Sequence, residues 1–289
     1  MIPACWVNGR RVDADAANLL VSERGFMFAD GLFETMRAFR GVIFRLQSHL
    51  ERLAVTADRM QLVCPERLPH LIAEMVDELE AGGLDAAVRL TVTRGTVAGL
   101  APPSGSQSVT VVLVAQPVPH FDPRIYHAGL TVRIATGRRN EFSMSAGMKT
   151  LNYTDSILAL LEAREVGADE ALFLDTQGHV SEASASNVFV VVGGEVLTPP
   201  LTCGALPGIT RDVVFELLGE RNMRLLDRPI STDELESAEE VFLTSSLRGI
   251  APVASIDGHP VGAAGAAPGP VTRAMMDAYA ARVLQECVR

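Results

Sequence analysis

Residues 116 to 123 read Gln116-Pro117-Val118-Pro119-His120-Phe121-Asp122-Pro123. Proline fixes φ and lacks an N–H donor, so neither a helix nor a central strand passes through such a segment. This stretch therefore divides the 289 residues into a first domain over 1–116, a linker over 117–123 and a second domain over 124–289. With 48% apolar and 21% charged residues, the chain has enough apolar side chains for a core in each half.

The first half opens with Val7-Asn8-Gly9-Arg10. An Asn-Gly pair between strand-like pieces predicts a two-residue hairpin, because both positions tolerate positive φ. Leu32 to Phe39 alternates as a half-buried strand does. Leu46, Leu50, Leu53, Ala57 and Met60 then recur at helical spacing, with Arg45, Glu51 and Asp58 on the other face and Arg52 just off the apolar stripe. A second helix is expected from about Pro65 to Ala81. Strands are expected over Ala87 to Gly95 and Ser108 to Ala115, separated by a Gly/Pro/Ser loop at 95–106. Arg89 and Arg94 are an odd number of positions apart, so an unbroken strand sends them to opposite faces. This half reads as an α+β domain.

In the second half, Leu130 to Ala135 predicts a strand and Gly137-Arg138-Arg139-Asn140 a turn. Tyr153, Ile157, Leu158 and Leu161 begin a long helical pattern; if its register reaches back, Lys149 and Tyr153 share a face. Strands are expected over Glu170 to Asp175 and Val188 to Val192, with Glu182 among small residues just ahead of the latter. Pro207-Gly208-Ile209-Thr210 makes a helix start whose N–H groups suit a phosphate. A strand from Val241 breaks into the hydroxyls of Thr244-Ser245-Ser246, and a Gly/Ala/Pro loop at 261–270 precedes a closing helix from Val271 to Cys287.

Several function classes fall away. A formal net charge of −10 repels nucleic acid and anionic membrane. The four cysteines are scattered without a Cys-x-x-Cys pair, so neither a zinc site nor a disulfide framework is expected. No apolar run reaches 18 residues and the start has no apolar h-region, which predicts a cytoplasmic protein.

Among 25 basic residues only Lys149 is a lysine. Arginine stays protonated, whereas a desolvated lysine amine becomes a nucleophile toward carbonyl compounds. Pyridoxal 5′-phosphate needs such an amine, a carboxylate at its pyridine nitrogen, and a phosphate cup of helix N–H groups, hydroxyls and an arginine. Lys149, Glu182, Thr210, Ser246 and Arg52 match those needs.

FADGLFET (28–35), HLERL (49–53), TRG (93–95), MKTLNY (148–153), SEASASNVF (181–189), LPGITRD (206–212) and LTSSLRGIAPV (243–253) follow one another across nearly the whole chain. In this order they resemble the class IV aminotransferases, fold type IV of the pyridoxal-phosphate enzymes, which include branched-chain aminotransferases, D-amino acid aminotransferases and 4-amino-4-deoxychorismate lyases. The resemblance implies an α/β protein with a small N-terminal domain, a larger pseudo-barrel domain, the cofactor between them, and a homodimer. It implies Lys149 as the Schiff-base and proton-moving lysine and Glu182 as partner of the ring nitrogen. Arg52, Ile209, Thr210, Ser246 and Leu247 are implied phosphate ligands, the two apolar residues through backbone N–H, and Tyr153 a cofactor contact. Phe33, Arg89 and Arg94 are implied substrate residues, and Thr35 matches a hydroxyl that assists elimination in the lyases. Thr96 stands where the D-amino acid pattern has histidine. The order of expectation is an aminotransferase acting on an amino acid and a 2-oxo acid, then a deoxychorismate lyase, then a cofactor-binding protein without turnover.

Overall fold

The computed structural model describes residues 4–65, 68–83, 85–101, 109–262 and 267–287. Parts of the expected second helix (66–67), of the loop at 95–106 (102–106), of the strand from Ser108 and of the loop at 261–270 (263–266) lie outside the described residues. The chain divides into two compact units. One comprises Met1–Pro119, Lys149–Asn152 and Val283–Arg289, the other His120–Met148 and Tyr153–Arg282.

The first unit carries β1 (Ala4–Val7), β2 (Arg10–Asp13), α1 (Arg24–Phe28), β3 (Gly31–Phe39), β4 (Val42–Ile43), α2 (Leu46–Arg59), α3 (Leu68–Gly82), β5 (Ala86–Thr93) and β6 (Thr110–Gln116). Among the described residues its strands form one antiparallel sheet in the order β2-β1-β6-β5-β3-β4. Asn8 and Gly9, at φ 52° and 82°, make the tight turn of the opening hairpin. Leu32 and Met36 of β3, Leu90 and Val92 of β5 and Leu113 of β6 pack against Leu53 and Ala57 of α2 and Ile72 and Met75 of α3. The predicted alternation and helical spacing thus meet in one core.

This division counts two further pieces of chain, Lys149–Asn152 and Val283–Arg289, with the first unit. β4 pairs only with Ala38 and Phe39, which leaves the other end of β3 open along that edge. Lys149–Asn152 fills it: the Phe33 N–H donates to the Lys149 carbonyl and the Leu151 N–H to the Gly31 carbonyl, each at 3.0 Å. Leu32 and Thr150 form an antiparallel bridge there. Open backbone groups on a strand recruit whatever segment can satisfy them, and hydrophobic periodicity carries no trace of that pairing. At the chain's end, Glu286 pairs with Arg45 at 2.8 Å.

The second unit carries α4 (Arg124–Ala128), β7 (Leu130–Arg139), α5 (Thr154–Glu165), β8 (Glu170–Asp175), β9 (Val180–Ala183), β10 (Asn187–Val192), β11 (Glu195–Thr198), α6 (Ile209–Glu220), β12 (Leu225–Asp227), α7 (Thr232–Glu236), β13 (Glu240–Ser245), β14 (Gly249–Ile256), β15 (His259–Pro260) and α8 (Pro270–Cys287), whose last residues count with the first unit. Among the described residues the mixed sheet runs β12-β11-β10-β13-β14-β7-β8-β9, with β15 paired to β14. β9 and β10 lie far apart in that order, yet only Ser184, Ala185 and Ser186 separate them in the chain. A link that short forces the six strands from β10 to β9 to curl toward closure, the pseudo-barrel implied by the resemblance. Val188 and Val190 of β10, Val241 and Leu243 of β13 and Leu172 and Leu174 of β8 pack together on one face of it, while Phe189 and Phe242 stack on the other face with ring centroids 4.9 Å apart, beside Phe215 of α6.

Two local expectations are corrected. Residues 137–139, expected as a turn, continue β7, pairing Arg138 with Leu174 and Arg139 with Asp175. The helical register does not reach back to Lys149: α5 begins at Thr154, with Tyr153 as its N-cap at φ −111°. Nor do Ile157, Leu158 and Leu161 face inward, being 56%, 58% and 50% exposed. Ala159 and Ala163 point in instead, toward Ala135, Ala171 and Phe173, because small side chains let the helix lie close to the sheet. No described helix is long and apolar enough to cross a membrane.

Candidate active site

In the first unit, the pairing of 149–152 along β3 sets the backbone of Lys149, and its Nζ lies 4.5 Å from the centroid of the buried Phe33 ring. The Arg89 guanidinium carbon lies 3.7 Å from the same centroid. Arg89 is exposed and stands across from Thr35 in the β3–β5 ladder. Phe33, Thr35, Arg89 and Lys149 are therefore neighbours along one stretch of β3.

The other face of β3 carries Glu34, whose side chain is fully buried. Arg52 donates through Nε to Oε1 at 2.8 Å and through Nη2 to Oε2 at 2.6 Å, a two-point grip from α2. His49, three residues earlier and so on the same helix face, meets Oε2 through Nδ1 at 2.8 Å. Burial pushes the Glu34 carboxyl upward, but hydrogen bonds and charge from Arg52 and His49 outweigh it and hold it at about 2. Burial lowers the imidazole of His49 below its ordinary value, despite Glu34. An ionised carboxylate only accepts, so Nδ1 carries the proton and donates. Neither Glu34 nor His49 was singled out from the sequence, although GLFET and HLERL contain them; the signal was the alternation of β3, which places Glu34 among core positions.

Arg94 follows the end of β5, where its N–H donates to the Asp30 carbonyl at 3.2 Å. It is buried with all three guanidinium nitrogens engaged: Nε to Asp30 Oδ2 at 2.9 Å, Nη1 to the Gln61 carbonyl at 3.0 Å and Nη2 to the Met60 carbonyl at 2.7 Å. Asp30 also accepts from Arg24 Nε at 2.7 Å. Burial raises the Asp30 carboxyl, but the two arginines together hold it below its ordinary value.

In the second unit, Glu182 lies on β9, which leads through residues 184–186 into the core strand β10. Its Oε2 accepts the Leu206 N–H at 2.8 Å, and its Oε1 is 3.2 Å from Nη2 of Arg139. Arg139 also lies over the Phe173 ring at 4.3 Å. It went unnoticed in the sequence because its partner is reached only through the sheet order. α6 begins at Ile209 with Gly208 as N-cap and no side-chain cap, and Ile209 and Thr210 are buried in its first turn. A Cβ on Gly208 would fall 1.8 Å from Asn187 Oδ1, so only glycine fits. Asn187 in turn donates to the Leu206 carbonyl at 2.8 Å. Ser246 and Leu247 form the turn between β13 and β14, and just before it Thr244 Oγ1 is buried without a hydrogen-bond partner. Tyr153 is the N-cap of α5, and its backbone carbonyl accepts from the Ile157 N–H at 2.9 Å.

An uncapped helix start held by glycine, beside an orphaned hydroxyl, suits an anionic group, and a partly buried carboxylate suits a cationic ring nitrogen. These features fit pyridoxal 5′-phosphate. The cysteines are free, and burial with Asp175 alongside pushes the Cys203 thiol to about 12, which leaves it inert as a nucleophile. Among the described residues no group of three or more His, Cys, Asp or Glu could hold a metal ion.

The family model for amino-transferase class IV matches residues 31–256. The branched-chain-amino-acid aminotransferase of Escherichia coli K12 is 30% identical over 95% of this chain and 91% of its own. The crystal structure of an Escherichia coli branched-chain amino acid aminotransferase superposes with a TM-score of 0.90 at 29% identity, covering 98% of this chain and 95% of that one. The 4-amino-4-deoxychorismate lyase of Pseudomonas aeruginosa superposes with a TM-score of 0.84 at 32% identity, covering 98% of each chain. Motif order, two-unit fold type IV architecture and family match agree, and the chain belongs to the class IV aminotransferase family, an enzyme of that kind.

Proposed function

We propose that this enzyme transfers an amino group between an amino acid and a 2-oxo acid, with pyridoxal 5′-phosphate carried on Lys149. The observation that carries the reading is the placement of the chain's only lysine: its backbone is locked to β3 and its amine lies over Phe33. When bound, the cofactor supplies an aldehyde that condenses with amines and a ring that spreads negative charge. Lys149 Nζ would be the amine that carries the cofactor and, when free, the base that moves the proton at the substrate Cα. Glu182, held by Leu206 and Arg139, would accept from the protonated ring nitrogen. Thr210, Ser246 and the N–H groups of Ile209 and Leu247 hold the phosphate, with Arg52 as its arginine and Tyr153 as a further cofactor contact. Arg89, exposed beside Phe33, takes the substrate carboxylate; Arg94 has its guanidinium tied to Asp30, Gln61 and Met60 and serves the fold.

A second reading rests on Thr35, whose half-buried hydroxyl-bearing side chain stands opposite Arg89. It makes the protein a deoxychorismate lyase. The assembly proposed for either reading is a homodimer, supported by exposed apolar side chains at Leu20, Val21 and Phe26.

The experiment begins by adding pyridoxal 5′-phosphate and reducing with borohydride, which should fix the label on the peptide containing Lys149. Lys149→Ala should take no label and lose turnover by at least about a thousandfold, as expected for loss of a nucleophile that also moves the proton. In the aminotransferase, an amino acid converts the bound cofactor to its amino form and pyruvate or 2-oxoglutarate restores it. In the lyase, aminodeoxychorismate yields pyruvate and 4-aminobenzoate without an acceptor. Unlabelled Lys149 in cofactor-saturated wild type would end both readings.

A further inference from the structure

Glu170 opens β8 and is buried, and the reaction above has no use for it. Its carboxylate lies where two turns meet. Oε1 accepts from the Ser184 hydroxyl and from the Ala171 N–H, the latter at 3.0 Å. Oε2 accepts from Nη1 and Nη2 of Arg248, each at 3.3 Å. Ser184 begins the short link after β9 and lies two residues beyond Glu182. Arg248 follows Ser246 and Leu247 directly and precedes β14, so its side chain spans β7 to reach β8.

Both turns are otherwise anchored through main chain. The Ser184 N–H donates to the Ala171 carbonyl at 2.9 Å, and the Arg248 N–H to Ser245 Oγ at 3.3 Å. The Tyr126 hydroxyl donates to the Arg248 carbonyl at 2.9 Å, and Phe121 flanks the guanidinium at 5.6 Å. Glu170 adds what those bonds do not, a direct tie between the two turns. A buried carboxylate–guanidinium pair is a poor source of stability, because desolvation cancels most of its attraction. Its value here is geometric.

We propose that Glu170 is a positioning residue that sets the span between Glu182 and the Ser246–Leu247 turn. The proposal rests on the cofactor reading above. A rigid ligand whose ring nitrogen and phosphate are a fixed distance apart is held at both ends at once only if the two grips keep that separation. Ser184 and Arg248 are then the two arms of one clamp.

The test titrates apo protein with pyridoxal 5′-phosphate and separately with pyridoxal, which lacks the phosphate, following cofactor absorbance. Glu170→Gln should raise the Kd for pyridoxal 5′-phosphate about tenfold, as small misplacement of a binding group does, and shrink the preference over pyridoxal by a similar factor. Ser184→Ala and Arg248→Met should each raise it by about threefold to tenfold, the worth of a single buried hydrogen bond. The double variant should be no worse than Glu170→Gln, since both arms act through one carboxylate. If Glu170→Gln does not fold, Ser184→Ala, which removes one hydroxyl, carries the test alone with its own expected loss.

Three results would overturn the proposal: a lower Tm with both Kd values unchanged, equal weakening toward pyridoxal and its phosphate, or arm effects that multiply in the double variant. Wild type that binds neither compound would remove the cofactor reading and this proposal together. Wild type that binds while every variant binds equally well would remove this proposal alone.

Discussion

Arg52 in the first unit gives Nε and Nη2 to the two oxygens of one buried carboxylate, while the start of α6 in the second unit has a glycine N-cap and no side-chain cap. Each presents donors, by a different route. The first fixes a long, flexible cation by pairing it with Glu34, so that its plane is set before any ligand arrives. The second uses backbone N–H groups whose direction the helix already dictates, kept open by a residue that cannot cap. A side-chain site depends on its partner staying charged, whereas a main-chain site depends only on the helix.

Removing the partner should break the contrast most severely. Glu34→Ala leaves the Arg52 charge and His49 buried beside an empty volume, and should cost about 3–5 kcal/mol of stability. Urea unfolding of the purified variant measures this, and a loss below about 1 kcal/mol would mean that Arg52 finds another acceptor or water.

Acid tests the same dependence without mutation. The Glu34 carboxyl is at about 2 in the folded protein against an ordinary value of 4.5. A depressed carboxyl contributes stability that is present above the unfolded value and lost as pH falls through the folded one, so the window runs from about 4.5 down to about 2. Its size is on the order of 3 kcal/mol. His49, also depressed, adds in the same sense from its ordinary 6.5 downward, because the unfolded chain takes up a proton that the folded one refuses. Unfolding measured across this range should show the loss in wild type and a flatter profile in Glu34→Gln. Equal profiles would place the acid sensitivity elsewhere.

What could be read from the residues followed how local each cause was. The Asn8-Gly9 hairpin, α2 with its Leu46, Leu50 and Leu53 stripe, and α6 opening at Ile209 are set by neighbours a few positions away, and periodicity and turn chemistry find them. The pairing of Lys149–Asn152 along β3 joins segments over a hundred residues apart, and only the open edge of β3 explains it. Arg94 ends with its guanidinium on Asp30, Gln61 and Met60, partners that lie 33 to 64 positions away in the chain and that residue type alone does not reveal. Arg139 and Glu182 meet only because the sheet order sets β7 and β9 on either side of β8, and Glu34 disappears in a sequence reading because an acid at a core position violates the pattern that identifies the strand. In α5 a helix forms, but its buried face is the alanine face rather than that of Ile157, Leu158 and Leu161, a matter of how closely the helix approaches β7 and β8.

Two helix starts within the second unit differ in the same way. α7 has the cap that α6 lacks: Ser231 Oγ accepts the Glu234 N–H at 3.2 Å, and Glu234 Oε2 accepts the Ser231 N–H at 3.1 Å. Such a reciprocal pair satisfies two donors that would otherwise need water, so Ser231→Ala should cost about 1 kcal/mol in thermal or urea unfolding. It should leave the Kd for pyridoxal 5′-phosphate unchanged, because a helix start whose donors are already satisfied has none to offer a ligand. If Ser231→Ala weakens cofactor binding as much as it weakens the fold, capping and ligand binding are not alternatives at these helix ends, and the uncapped start of α6 loses its meaning as a phosphate site.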